Sequence, residues 1–292
     1  MAFIGRGANG TVYQLNSFIA VKRARKGIDE QTDHANEQKI FQFLKSRPQI
    51  PFLVRCFYQR PNDIFLELAA NGSLAMLLNH HQERIGSRVL NVFHSLDPHD
   101  IHRWMRQLCL AAAGLEESGL THGDIRPGNM LLDSNWNLIL CDVDRAMKIG
   151  EEIAVLTEPF GRLLNLEDGE VAGSYGQAGA RTETFAIASV YYTMLRGHEP
   201  YETECWGEDH FTILIDKFQK KEFPPLTTSA GDAIVNQGWN GKYHSVAELL
   251  TEFPGDNDSN DLPVMEEKWM ESRRLECKEF IASGLVDRLE RY

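Results

Sequence analysis

Asp124 and Asn129 stand five residues apart in His122-Gly123-Asp124-Ile125-Arg126-Pro127-Gly128-Asn129, and Asp142 follows thirteen residues later in Cys141-Asp142-Val143-Asp144. A carboxylate, an amide and a second carboxylate in this order suit phosphoryl transfer. The first can orient an attacking hydroxyl, and the other two can hold Mg²⁺ against phosphate oxygens.

A phosphate donor needs a cradle, and two upstream segments could supply it. Gly5-Arg6-Gly7-Ala8-Asn9-Gly10-Thr11-Val12 carries three spaced glycines and leads into the β-type run Thr11 to Leu15. Small residues between two strands let backbone N–H groups approach an anion; a dinucleotide loop would open a helix instead. A plain glycine hairpin is the bland alternative. Ten residues after Val12, Lys22 ends the apolar run Ile19-Ala20-Val21. An unpaired ammonium is costly to bury, so this lysine calls for a carboxylate and a phosphate. Glu37 is the candidate carboxylate, on a helical stretch and on the same side as Phe41 four residues on. Two solvated surface charges would be the bland reading.

The elements that must position these residues fall into two groups. Phe3 to Leu15 and Phe18 to Lys22 read as β segments with Asn16-Ser17 as their turn. Residues 33–46 take helical spacing through Ile40, Phe41 and Leu44, and Pro48 and Pro51 end that run. Leu53–Gln59 and Ile64–Leu68 read as further strands, and with the glycines dividing Phe3 to Leu15 into two strands a five-stranded lobe with one helix is expected. Beyond Asn71-Gly72-Ser73 the pattern turns helical. Helices are expected at Leu74–His81, from Asp97 or His99 to Ser118, and at Glu183–Arg196, whose apolar content marks it as buried. Met130–Leu132 and Leu138–Cys141 should form a hairpin about Asp133-Ser134-Asn135. Residues 253–263 read as an acidic linker, and Met265–Arg288 as a charged amphipathic helix expected to pack on the large lobe.

The 292 residues allow one large domain or two lobes. Hydrophobic residues make up 42% and charged residues 25%, an ordinary globular balance with no apolar run long enough for a transmembrane helix. The first residues lack a secretory pattern. Five scattered cysteines suit a reducing compartment, so an intracellular place, cytoplasmic or nuclear, is expected. The net charge of −12 divides unevenly: +4 over residues 1–67 and −16 over the rest. That acidity argues against nucleic-acid binding, which needs a positive footprint, and suits a basic protein partner, although an acidic solvated face is the simpler reading. Oligomeric state is not readable. Lone histidines such as His94, His198 and His210 read as surface or packing residues.

Taken in order, the glycine loop, Ile19-Ala20-Val21-Lys22, Glu37, His122-x-Asp124, Asn129 and Asp142 resemble the catalytic domain of the eukaryotic protein kinases, in a divergent form similar to kinase-like proteins of filamentous fungi. The resemblance runs from about residue 3 to 250 and includes Thr182–Tyr191 and Arg196–Tyr201. It implies an α+β, two-lobed fold: a small antiparallel sheet lobe over 1–68, a hinge over 69–73 and a mainly helical lobe over 74–252. It implies ATP and Mg²⁺, with Asp124 at the acceptor hydroxyl, Arg126 at the γ-phosphate, Lys22 and Glu37 at the α- and β-phosphates, and Asn129 and Asp142 on the metal. Gly5, Gly7 and Gly10 would cover the phosphates. Val12, Ala20 and Leu131 would enclose the purine, with Leu66 behind it and Glu67, Leu68 and Ala69 along its edge. The implied reaction is transfer of the ATP γ-phosphate to a serine or threonine of a protein substrate.

Departures from the family pattern leave alternatives open. Gly123 stands where an arginine usually receives an activating phosphate, so no such switch is expected. Val143-Asp144 replaces Phe-Gly, Glu183 replaces the aspartate that braces the catalytic loop, and Thr157-Glu158-Pro159 only echoes Ala-Pro-Glu. His-Gly-Asp is also how aminoglycoside- and choline-type phosphotransferases of this fold are written. A pseudokinase serving as a binding module is the third reading.

Overall fold

The computed structural model describes residues 2–7, 10–165, 171–204, 206–255 and 267–289. Five strands form one antiparallel sheet in the order β1-β2-β3-β5-β4: β1 (Ala2–Arg6), β2 (Gly10–Gln14), β3 (Ile19–Ala24), β4 (Cys56–Arg60) and β5 (Asp63–Glu67). Helix α1 (Ile28–Leu44) lies between β3 and β4 in the chain and begins five residues before the expected start. β3 is buried along its whole length, so its β-branched residues pack on both faces of the sheet.

The second lobe opens with α2 (Leu74–His80), whose cap Ser73 accepts from the Met76 N–H. A hairpin follows, β6 (Gln82–Ile85) and β7 (Arg88–Val92). Next comes α3 (Pro98–Glu117), where Asp97 caps the first turn and Pro98 sits in the position a proline tolerates. Short strands β8 (Leu120–Thr121), β9 (Met130–Leu132), β10 (Leu138–Leu140) and β11 (Met147–Lys148) then pair as β8 with β11 and β9 with β10. Helix α4 (Ala180–Arg196) is buried over most of its length, and it ends at Gly197, whose φ of +74° suits glycine. Helices α5 (His210–Gln219), α6 (Ala230–Trp239) and α7 (Val246–Leu250) complete this lobe. The core joins α3 and α4 to β9 and β10 and reaches Ile40 and Phe41 of α1.

The last described α-helix, α8 (Glu267–Ala282), departs from expectation. It packs on the sheet lobe, not the large lobe: Cys277, Val286 and Leu289 are buried with Tyr13, Val21, Phe57 and Phe65, and Trp269, Met270, Phe280 and Ile281 pack against them. Phe57 and Trp269 meet edge to face at 5.5 Å. Polar contacts fix the register. Arg23, only 2% exposed, donates to Asp63 at 2.7 Å and to the Leu289 carbonyl at 2.7 Å, and Arg60 pairs with Asp287 at 2.7 Å. The outer face of an antiparallel sheet bearing Tyr13, Val21 and Phe65 is too apolar to leave in water, and α8 covers it. Most of the expected acidic linker lies outside the described residues.

Candidate active site

Lys22 holds the centre of the cleft. Its register puts it opposite Val12 on β2 and Ile64 on β5, with Nζ turned toward α1. Glu37 Oε2 lies 2.7 Å from Nζ, Asp142 Oδ1 is in contact with it, and Asp144 Oδ2 is at 4.0 Å. Burial alone would lower the Lys22 pKa, but Glu37, Asp142 and Asp144 outweigh it and hold the ammonium well above its ordinary value. Glu37 is completely buried, and that burial pushes it up to about 7 against the opposing pull of Lys22. Burial would also raise Asp142; Lys22, with smaller help from His122 and Arg126, brings it below the usual carboxylate range instead.

Asp142 has φ +68° and ψ +64°, a left-handed conformation uncommon for a residue with a β-carbon. Such outliers persist where surrounding contacts dictate them. Here Cys141 N–H donates to the Asn129 carbonyl at 2.9 Å, and Asn36 of α1 donates to the Asp144 carbonyl at 2.5 Å and the Ala146 carbonyl at 3.4 Å. Asn36 thus ties α1 to the segment bearing Asp142.

Asp124 is 7% exposed and held from several directions. Arg126 Nε donates to Oδ2 at 3.0 Å, the Asn129 amide donates to Oδ2 and to the Asp124 carbonyl, both at 2.8 Å, and Thr157 Oγ1 donates to Oδ1 at 3.3 Å. Beneath it His122 is fully buried. The Asp124 N–H donates to Nδ1 at 3.2 Å, which leaves Nε2 as the donor to the Cys141 carbonyl at 3.0 Å. Glu183 braces the same loop, its two oxygens accepting from the backbone N–H groups of His122 at 2.7 Å and Gly123 at 3.2 Å. Burial raises the Glu183 pKa despite those bonds.

The glycine loop sits over Lys22. Gly5 pairs with Val12 and Arg6 with Thr11, and the Gly7 N–H reaches the Gly10 carbonyl at 2.9 Å. A β-carbon on Gly10 would lie 2.9 Å from Lys22 Cγ, so the strand can approach the lysine only without a side chain there. Ala20 faces Leu66 across β3 and β5, while Val12 and Leu131 are half-buried. Leu68 N–H is bonded to Phe18 O at 2.9 Å, and the Glu67 side chain turns to Arg55 at 2.7 Å. Past Ala69, Asn71 N–H bonds to the Leu132 carbonyl at 2.9 Å, which straps the crossover to β9.

Three carboxylates around one ammonium leave a negative excess that a divalent cation would neutralise. Asn129 spends its amide N–H on Asp124, so its oxygen is the atom left to serve as a donor beside Asp142. Among the described residues no group of three or more His, Cys, Asp or Glu could hold a metal ion. Mg²⁺ suits so sparse a donor set, since it keeps water and phosphate oxygens as most of its ligands.

Lys22, Glu37, Asp124, Arg126, Asn129 and Asp142, each expected from the sequence, all lie in this connected network. Asn36 and the contact of Thr157 with Asp124 were not expected. An asparagine one residue before Glu37 and a threonine in a loop carry no distinguishing pattern.

The family described as "Protein kinase domain" matches residues 1–281. Similar proteins include citron rho-interacting kinase of Rattus norvegicus, 26% identical over 226 residues, 74% of this chain and 10% of that protein. Cysteine-rich receptor-like protein kinase 45 of Arabidopsis thaliana is 26% identical over 247 residues, 75% of this chain and 65% of that protein. Serine/threonine-protein kinase MRCK alpha of Homo sapiens is 24% identical over 187 residues, 60% of this chain and 10% of that protein. The chain spans about a tenth of the citron kinases' length. Among the described residues no helix is long and apolar enough to cross a membrane.

Proposed function

This chain belongs to the protein kinase family, and from that premise we propose that it transfers the γ-phosphoryl group of ATP to a serine or threonine hydroxyl of a protein. The observation that carries the reading is the convergence of Lys22, Glu37 and Asp142, with Asp144 at 4.0 Å and Asp124 fixed separately by Arg126, Asn129 and Thr157.

Lys22, kept charged by its acidic partners, pairs with the α- and β-phosphates while Glu37 fixes its reach. Gly5, Gly7 and Gly10 cover the phosphates with backbone N–H groups. Val12, Ala20, Leu66 and Leu131 enclose the purine, and the backbone of Glu67, Leu68 and Ala69 runs along its edge. Asn129 and Asp142 would hold Mg²⁺, which would supply charge neutralisation of the transferring group. Asp124 accepts a hydrogen bond from the acceptor hydroxyl and aligns it for in-line attack. Arg126 screens the charge that develops on the γ-phosphate oxygens. Positioning and electrostatics carry most of the rate in this chemistry.

The −16 charge carried beyond residue 67 favours a basic substrate sequence. The free thiols of Cys56, Cys109, Cys141 and Cys277 suit an intracellular setting, cytoplasmic or nuclear. The test is turnover of Mg-ATP with mixed serine, threonine and tyrosine peptides, run beside amino-sugars and choline. Transfer to peptides, abolished in Asp124→Asn, supports the reading. Transfer only to the small molecules assigns the alternative suggested by His122-Gly123-Asp124. ATP binding with no turnover on any of them points to a binding module.

A further inference from the structure

A second concavity, about 650 Å³, opens between α1, β4 and α8, and none of the residues gathered around Lys22 lines it. Its floor is apolar: Phe41, Ile50, Val54 and Phe57 are buried there, and Met270 of α8 contributes one wall. Its rim is cationic, with Lys45, Arg47, Arg55, Arg274 and Lys278 against Glu267 and Glu271. Both acids are spent on Arg274, at 2.7 and 3.2 Å. Arg55 is matched by Glu67 at 2.7 Å. Lys45 and Lys278 are exposed and make no ion pair among the described residues. The groove is therefore positive on a chain whose net charge is −12.

We propose that this groove binds a short acidic peptide segment of a partner protein, with apolar side chains seated on the floor and carboxylates facing Lys45 and Lys278. The volume matches a specific ligand site. A bilayer or a nucleic-acid backbone would reach the lysines but not the concave floor, whereas a peptide satisfies both.

The groove also adjoins the catalytic network. Phe41 lies one turn beyond Glu37 on α1. The Val54 N–H donates to the Leu140 carbonyl at 2.8 Å, and the Leu140 N–H to the Phe52 carbonyl at 2.8 Å, two residues before Asp142. A peptide that stiffens these walls steadies Glu37 and Asp142. By linkage, nucleotide must then tighten the peptide by the same factor. This coupling rests on the proposed ATP site; the binding itself does not.

The test is fluorescence anisotropy on the full chain, without nucleotide. The probe is a labelled twelve-residue peptide with phenylalanine and leucine set among aspartates and glutamates. The expected result is saturable binding, weakened at least tenfold by Lys45→Glu/Lys278→Glu, by Phe→Ser in the peptide and by raised salt. Lys45→Ser/Lys278→Ser gives a smaller loss, and a melting curve for both variants shows that they fold. Equal binding of a lysine-for-acid peptide, unchanged affinity in both variants, or no saturation at millimolar probe overturns the proposal. A concentration-dependent dimer abolished by the same substitutions, with no peptide bound, also overturns it and gives the groove to a second copy of this chain.

Discussion

The carbonyl oxygen of Arg145 lies 2.5 Å from where a β-carbon on Gly123 would stand. Gly123 itself has φ +77°, a conformation that side chains resist. The residue that breaks the family's usual His-Arg-Asp spelling is thus required by the backbone packed against it. Restoring the family residue should harm this protein. Gly123→Arg is expected to cost about 2–4 kcal/mol from left-handed strain plus displacement of the 143–146 turn. A melting curve checks this through a clear fall in Tm, and turnover should fall with it because Asp124 is the next residue. A stable, more active variant that gains further activity on phosphorylation would contradict both the steric account and the expected absence of a phosphate switch.

Glu37 gives the network a pH dependence. It is pushed up to about 7 by burial, against Lys22, while Asp142 and Asp144 also face it and favour its proton. The Lys22 pair needs the ionised form, so activity should rise with pH through about 7. Stability runs the other way. A carboxyl whose folded pKa exceeds its unfolded value binds extra protons when folded, so that contribution is present at low pH and fades as pH climbs through about 7. Glu37→Gln should flatten the acid limb of the pH–rate profile and lower kcat/KM by roughly 10²-fold or more. An unchanged acid limb in that variant would assign the titration to another group.

The residues of this network were legible because chemistry restricts their types. A lysine at the end of a buried strand needs partners, and an Asp–Asn–Asp series at that spacing has few other uses. What surrounds them was less legible, for physical reasons. The β6–β7 hairpin is short and only half-buried, and its Ile85-Gly86-Ser87-Arg88 turn signal passed unread between two stronger helices. It is held by tertiary contacts, among them Arg84 to Glu202 at 2.5 Å and Arg88 to the Thr203 carbonyl at 2.8 Å. The docking of α8 could not be read either. Trp269, Cys277 and Phe280 mark an apolar stripe, but a stripe does not say which apolar surface it covers.

Thr157 is a positioning residue for Asp124. Its hydroxyl at 3.3 Å fixes Oδ1 on the side opposite the Arg126 and Asn129 bonds to Oδ2. Thr157→Val keeps the shape and removes the bond. One hydrogen bond to a charged group is worth about 1.5–3 kcal/mol at most, and the length of this one argues for the lower end, so kcat should drop roughly tenfold. The KM for ATP should stay near its original value, since among the described residues Thr157 bonds to Asp124 and to its own loop at Phe160 and Gly161. Thr157→Ser should restore kcat; failure of serine to rescue would mean that the methyl group, not the bond, matters.

The α8 segment should behave as part of the sheet lobe. Trp269 packs edge to face on Phe57, and Cys277, Val286 and Leu289 seal the sheet beneath it. Trp269 is half-buried, so Trp269→Ala should cost about 2–3 kcal/mol, below the loss of a fully buried tryptophan, and less if Met270 and Phe280 collapse into the space. Ending the chain at residue 266 does more. It removes the Leu289 carbonyl that Arg23 donates to and the Asp287 partner of Arg60, and exposes Phe57, Phe65 and Val21 together. Arg23 retains Asp63, so its charge is not orphaned, and the main loss is hydrophobic cover. The truncated protein should melt well below the full chain and bind an apolar dye. Hydrogen exchange should rise first in β2, β3 and β5 while α3 and α4 stay protected. Equal melting temperatures for the two forms would show that the sheet lobe stands without its helix.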